Sequence, residues 1–429
     1  MYNKLKNNIL KKDILLYLLS GVLITLPLKY GYGTLSIVLF LVFCLLNYKK
    51  TKPLYSIALL LPIVFYLFMV LSLLWTVDIK LTMGGLKKEI FFLLFPLAFI
   101  FVDDLKHLNL NKLLKIYTYG IVIYILFTLT NAFIRYVQTN NFEVFFYHEL
   151  VTIEVNAIYV SVFVSFTLFY LLALPKRTNL EQFFLALTIV YVVLLSSKSI
   201  LFIDFILVII FYTFYSKVPK SVRLLTVFSV LAFLVMSLFY VKKIRERFLE
   251  EYETAFVDNT LNKRNIEKGK VYNVSLKQAW TNKTFAPNQY FPGTALRVFQ
   301  FRVFIENIKE EQNLFNGFGL EASQSSIQQK AKKYNLYQGY GDFNFHNQYI
   351  QTFSELGLIG FLLLIGMLMI NLKSAIQSKN FMHIVFAFTM IFLFLTESFF
   401  CRQRGIVFFI TLYCVFHVLT QNKKEKILE

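Results

Sequence analysis

Residues 345–360 read FHNQYIQTFSELGLIG, a polar loop turning into a long apolar helix whose mouth carries His346, Asn347, Gln351 and Glu355. Four-residue spacing puts Gln351 and Glu355 on one helical face. Glu355 lies about two turns below the rim, so its carboxyl has to be hydrogen-bonded, paired or protonated, and bracing is its expected role. An unperturbed imidazole accepts a proton near neutral pH, which makes His346, in the loop just ahead of the helix, a candidate general base. Polar chemistry is thus concentrated at one end of an apolar helix.

Working outward, the 429-residue chain is 57% hydrophobic with a mean hydropathy of +0.58. Apolar runs near 14–28, 34–47, 54–75, 88–102, 113–134, 157–174, 182–196, 199–215, 222–241, 348–371, 381–398 and 404–420 approach the ~20 residues needed to cross a bilayer. The reading is an all-α, polytopic helical membrane protein with about 12 transmembrane helices. No cleavage pattern precedes the first run, and Lys4, Lys6, Lys11 and Lys12 read as a cytoplasmic anchor.

Twelve spans starting inside place Lys49, Lys50 and Lys52, then Lys106, Lys112 and Lys115, and finally Lys423, Lys424 and Lys426 on the cytoplasmic face, as the positive-inside rule requires. The same topology divides the chain into a bundle over 1–241, one large extracytoplasmic loop over 242–345, three last spans over 346–421 and a cytoplasmic tail over 422–429. A loop of that length is expected to hold helices of its own and to be functional. Within TALRVFQFRVFIENIKEE, Leu296, Phe299, Val303 and Ile308 recur at helical spacing, predicting an amphipathic helix against the membrane or the bundle. The formal net charge of +19 is read as basic loops attracted to anionic lipid, with no nucleic acid as partner. Cys44, Cys401 and Cys414 have the spacing of neither a disulfide framework nor a metal site and are read as packing residues.

Cations on the outer face need a reason to sit beside apolar helix ends. Lys198 lies in LLSSKSILF between two spans with almost no loop, and Arg402 and Arg404 lie in ESFFCRQRG at another tight hairpin. Each alone is explained by snorkelling or by pairing with Glu397, but with Arg297 and Arg302 from the loop they can surround a phosphate-bearing ligand. Arg297 and Arg302 stand about 140° apart around a helix, so one of the two is expected to be structural. Asp204, a few residues inside its span, points elsewhere than Lys198 and is expected to find a cation on another span. His148 in FFYHEL is a weaker accessory candidate, and there is no HExxH, Walker loop or dinucleotide fingerprint.

These residues resemble the O-antigen ligase and O-antigen polymerase superfamily of bacterial integral-membrane glycosyltransferases. The resemblance rests on His346-Asn347 followed by Tyr349, Gln351, Glu355, Gly357 and Gly360, on Arg297 four residues before Phe301, and on LFNGFG at 314–319. It extends to SSKS at 196–199, where Lys198 and Ser199 stand for the family's Arg-Gly, and to TESFFCRQRGIVFF, similar to the last segment of Bacteroidetes-like members. Lysine at 198 lacks the guanidinium fork, and Phe301 lacks the indole donor of the usual tryptophan.

The resemblance implies a C-type glycosyltransferase-like fold in the bacterial inner membrane with its active site facing the periplasm. It implies an undecaprenyl-pyrophosphate-linked glycan as donor and lipid A core as acceptor, with membrane lipids around the bundle, no metal and no cofactor. His346 would be the base, Arg297 and Lys198 would hold the departing diphosphate, and Arg302, Arg402, Arg404, Asn347, Tyr349 and Gln351 would bind substrate. Glu355, Asp204 and Glu397 would support them. Ligase is the favoured activity. A polymerase extending lipid-linked repeats, a ligase acting on protein and a non-enzymatic flippase are the alternatives, the last disfavoured because the polar candidates gather at one rim rather than at the midplane.

Overall fold

The computed structural model describes residues 2–48, 53–54, 56–240, 242–262, 270–311 and 314–428. Lys49, Lys50 and Lys52 lie outside the described residues, as do the side chains of Lys4, Lys6, Lys11, Lys12, Lys423, Lys424 and Lys426. The chain is mostly helical. In order the helices are α1 Tyr2–Ile24, α2 Tyr30–Leu46, α3 Ile57–Leu71, α4 Ile79–Glu89, α5 Phe91–Phe101, α6 Asp103–Lys106, α7 Leu110–Thr139, α8 Tyr147–Leu150, α9 Ala157–Ala173, α10 Asn179–Leu195, α11 Lys198–Ile210 and α12 Lys220–Tyr240. There follow α13 Lys242–Phe256, α14 Leu276–Thr281, α15 Gly293–Glu311, α16 Ser323–Lys333, α17 Gln348–Ser378, α18 Phe381–Leu393 and α19 Gln403–Leu428.

Each of the twelve apolar runs overlaps one of these helices. Among the described residues, five are long and apolar enough to cross a membrane: Ile57–Leu74, Leu110–Thr139, Lys198–Tyr215, Gln348–Ser378 and Gln403–Gln421. This is a membrane protein. Others, such as Ala157–Ala173 and Asn179–Leu195, have 17 residues and rise only about 25 Å, less than a hydrocarbon core of about 30 Å.

Helix ends are set by local chemistry. Asp78, Asn109, Asn156, Asn347 and Asn380 each accept a backbone N–H of the first helical turn, and Thr178 with Glu181 forms a reciprocal capping box. At the end of α10, Ser196 adopts a left-handed conformation (φ +44°), and α11 begins only two residues later. That turn fixes Lys198 at the first position of its helix.

The centre of the bundle is α19, whose apolar stretch is almost wholly buried. Its Phe409 meets Phe386, Phe394 and Phe400 with ring centroids 5.0–5.9 Å apart, and offset or edge contacts of this kind add about 0.5–1.5 kcal/mol each beyond area burial.

Residues 242–345 have a core of their own. Phe285, Phe291, Phe299 and Tyr334 pack with centroids 4.9–5.5 Å apart in successive pairs, beside a small sheet of β1 Thr260–Leu261, β2 Tyr272–Asn273 and β3 Gln289–Tyr290. The first pair of strands is antiparallel and the second parallel. The predicted amphipathic helix is present as α15. Its Leu296, Phe299 and Val303 are buried in this local core, where Ile327 of α16, Tyr334 just after it, and Phe285 and Phe291 from the preceding loop supply the apolar partners, while Phe304 on the same helix meets Phe353 of α17 (5.5 Å), so the helix packs against the bundle as well.

Loop and bundle are joined by a seam at residues 314–320. There the amide of Gly319 donates to the Glu355 carbonyl (2.8 Å), Leu358 donates to Leu314 (2.9 Å), and Trp75 Nε1 and the Val77 amide donate to Asn316 (2.8 Å) and Phe318 (3.0 Å). The seam requires α17 to break. Gly357 does so at φ +62°, ψ −163°, a region essentially reserved for glycine, and a Cβ there would collide with the backbone of Phe315 and Asn316.

Candidate functional site

Three residues between α18 and α19 organise the polar end of the bundle. The Thr396 carbonyl accepts from Arg297 Nη2 (3.1 Å), the Glu397 carboxylate faces His346 Nδ1 (3.7 Å), and Ser398 Oγ accepts the amide of Asn347 (3.1 Å). Asn347 Nδ2 also donates to the Leu395 carbonyl (3.0 Å). One short stretch thereby gathers the arginine of α15 and the histidine ahead of α17.

Beside it opens a cavity of about 810 Å³, lined by Ser197, Lys198 and Ser199 from the bundle, Glu251 from α13, and Thr294 and Arg297 from α15. Glu251 accepts from both the Lys198 ammonium and the Thr294 hydroxyl. Burial opposes charge on Glu251, yet its hydrogen bonds to Lys198 and Thr294, with Arg297 nearby, hold its carboxyl below the usual carboxylate range. A lysine at the first position of a helix sits against the positive end of the helix dipole, so an anion at this point is doubly favoured. Arg297 spends two of its nitrogens on the carbonyls of Gly293 and Thr396, and its Nε has no partner among the described residues.

His346 is itself held in a left-handed conformation (φ +48°), which costs about 1–2 kcal/mol for a residue with a Cβ. The neighbours enforce it. Its amide donates to Asn344 Oδ1 (2.9 Å), the preceding amide of Phe345 donates to Gln351 Oε1 (3.2 Å), and Gln300 holds the Asn344 carbonyl.

The other sequence candidates lie elsewhere or are already occupied. Arg302 turns into the loop core, donating to the Asn282 carbonyl (2.8 Å), Tyr334 Oη (2.9 Å) and Glu306 (2.9 Å). Arg404 is buried with its guanidinium 4.5 Å from the Tyr30 ring, in the crevice between α19 and the α1–α2 turn. Arg402 is exposed at the start of α19. Tyr349 donates to the Ile391 carbonyl (2.8 Å), and Asn347 caps α17. Gln351 and Glu355 are buried below the mouth and bonded to each other.

Two pairing expectations are corrected. Glu397 meets His346 rather than Lys198, Arg402 or Arg404, because α13 brings Glu251 to Lys198 first. Asp204 finds a hydroxyl, Ser165 Oγ at 2.6 Å on α9, in place of the expected cation. His148 accepts the Ala157 amide (3.4 Å) and meets the Tyr147 ring at a tilt of 57°. Glu251, Thr294 and Thr396 went unrecognised from sequence. Nothing in KKIRERFLEEYETAF distinguishes Glu251 from its acidic neighbours, and only the solitary position of Lys198 hinted that a counter-charge was needed.

Among the described residues, no three His, Cys, Asp or Glu side chains come together as a metal site would require. Two cations at an open cavity, with the His346 imidazole tied to it through residues 396–397, suit the chemistry of an anionic leaving group and a proton acceptor. Residues 182–365 match the family model described as O-antigen ligase. This supports membership of the O-antigen ligase superfamily. The matched O-antigen ligase segment contains Lys198, Glu251, Arg297 and His346, and ends before Glu397. No curated protein matches the chain.

Proposed function

We propose that this O-antigen ligase-like membrane protein transfers a glycan from undecaprenyl pyrophosphate to lipid A core, at the periplasmic face of the bacterial inner membrane. In this reading the chain spans the membrane twelve times from a cytoplasmic amino terminus, and residues 242–345 form the periplasmic loop. The observation that carries it is the convergence of Lys198, from the bundle, and Arg297, from the loop, on one cavity tied to His346 through residues 396–398.

An acceptor hydroxyl attacks the anomeric carbon from the face opposite the diphosphate, inverting the configuration. The bond from that carbon to the diphosphate oxygen breaks, His346 takes the hydroxyl proton, and Arg297 with Lys198 stabilises the charge on the leaving group. Glu251 marks the place where an anionic oxygen is held between Lys198 and Thr294, and the diphosphate displaces or shares that position. Donor and leaving group are common to ligase and polymerase, so the two differ only in acceptor.

A glycolipid profile of a deletion strain complemented with His346→Ala tests both levels. Loss of ligase leaves unmodified core and accumulated long-chain lipid-linked glycan, whereas loss of a polymerase leaves core carrying a single repeat. His346→Ala should behave as the deletion, since losing a general base costs about 100- to 10,000-fold. Normal long-chain glycolipid from a correctly inserted His346→Ala protein would refute the catalytic reading.

A further inference from the structure

We infer that Glu397 is a positioning residue for His346: its carboxylate holds the imidazole with the proton on Nδ1 and leaves Nε2 as the basic nitrogen. The inference rests on the proposed role of His346. Glu397 Oε2 and His346 Nδ1 lie 3.7 Å apart, both are shielded from solvent, and neither has a hydrogen-bond partner among the described residues. Among those residues no other cation is in ion-pair contact with Glu397, Arg402 included. The imidazole keeps about a quarter of its surface exposed while the Glu397 side chain is 6% exposed, so the open part of the ring lies away from Nδ1.

The pair is held from both sides of the chain. Asn347, next to His346, donates to Leu395 and accepts nothing from Glu397, while its amide is taken by Ser398, so the backbone flanking Glu397 is tied to the backbone flanking His346. A buried carboxylate without a partner is costly, and two unpaired polar atoms facing each other just beyond hydrogen-bond length have a simple resolution. Hydrogen bonds of catalytic groups commonly tighten from such distances when substrate is bound. On proton uptake at Nε2 the ring becomes an imidazolium against the Glu397 carboxylate, so an unpaired buried charge turns into an ion pair as the acceptor oxygen bonds to the anomeric carbon and the diphosphate departs. Glu397 itself takes no proton.

The test uses full-length protein labelled with ¹⁵N-histidine, the His346 signals being assigned by their loss in His346→Ala. We expect the native protein to show a pyrrole-type Nδ1 and a pyridine-type Nε2 at His346, and Glu397→Gln to give a tautomer mixture while thermal unfolding stays near native. Transfer from host membrane donor should fall about 10- to 100-fold in kcat with the donor KM little changed, as for other residues that orient a functional imidazole. In a His346→Ala background, Glu397→Gln should cause no further loss. A proton on Nε2 in the native protein, a tautomer unaffected by Glu397→Gln, or equal losses in both backgrounds would overturn the inference. Should Glu397→Gln fail to fold, Glu397→Asp keeps the carboxylate and must retain the Nδ1–H form. An active His346→Ala protein would instead sink the functional reading, and the tautomer measurement would stand independently of it.

Discussion

At the scale of single residues, Arg297 and Lys198 are both cations at one cavity, but they are different donors. Arg297 presents a planar fork, two of whose nitrogens donate to carbonyls, whereas Lys198 presents a point charge balanced by Glu251. Arg297→Lys therefore keeps the charge and loses the paired hydrogen bonds, and its transfer rate should drop by about 100- to 1000-fold, as on removal of one preorganised donor. Lys198→Arg should retain a measurable fraction of activity and Lys198→Ala should not. Comparable rates for Arg297→Lys and native protein in a purified transfer assay would remove Arg297 from the leaving-group contacts. The two residues were legible in the sequence because an outward cation beside an apolar run needs a reason. Glu251 was not, since the ion pair joins positions 53 residues apart and no local pattern encodes it. Arg404 was misleading for the opposite reason: its place beside a tight hairpin says at which end of the bundle it lies, but not that Tyr30 would cover it.

At the scale of elements, α15 and α16 are locked by a cluster in which Arg302 and Lys330 share Glu306, and Lys330 also meets Glu310 (2.8 Å). Burial opposes charge on Glu306, but its bonds to Tyr334, Arg302 and Lys330 hold it below the usual carboxylate range, and Lys330 lowers Glu310 likewise. The Lys330 ammonium pays a desolvation penalty that its two carboxylates outweigh, so its pKa is raised. The stabilisation from the carboxylates is present above the unfolded range of about 4.3 and is lost as pH falls through their lowered folded values. That from Lys330 is complete below about 10.4 and is lost as pH rises through its raised value. The loop should accordingly melt at a constant temperature between these limits and earlier in acid, with Arg302→Gln lowering the plateau by about 1.5–3 kcal/mol through lost charge-assisted bonds. A melting curve indifferent to pH 3 in circular dichroism would contradict this. At the seam, Gly357→Ala should be worse than a helix propensity argument suggests, because alanine at this φ and ψ adds strain of about 1–3 kcal/mol before any collision is counted. Native-like thermal stability of Gly357→Ala in detergent would show that α17 can straighten. The mouth of α17 and the helix over TALRVFQFRVFIENIKEE were readable from periodicity and capping. The break at Gly357 was not readable as a break, since its cause is the backbone of Phe315 and Asn316, which arrives from a distant stretch of chain.

At the scale of the whole molecule, charge is distributed so that cations, not a carboxylate cluster, face the cavity, and no three ligating side chains meet among the described residues. Transfer by purified protein should therefore survive EDTA unchanged. Loss on chelation, restored specifically by magnesium or manganese, would mean that a metal carries the diphosphate charge. The bundle was legible in outline because hydrophobic runs are written continuously along the chain. The number of crossings was less so, since among the described residues length and hydropathy select five helices outright while others fall a few residues short. The cavity itself was invisible in the sequence, for its walls come from Lys198 in one body, Glu251 and Arg297 in another, and Thr396 in a third stretch of chain. That division has an evolutionary consequence. A recombination event that imports residues 242–345 alone brings an arginine and a glutamate whose partners remain in the recipient, so exchanged genes keep a working pocket only when 196–199 and 396–398 travel with the loop or already agree with it.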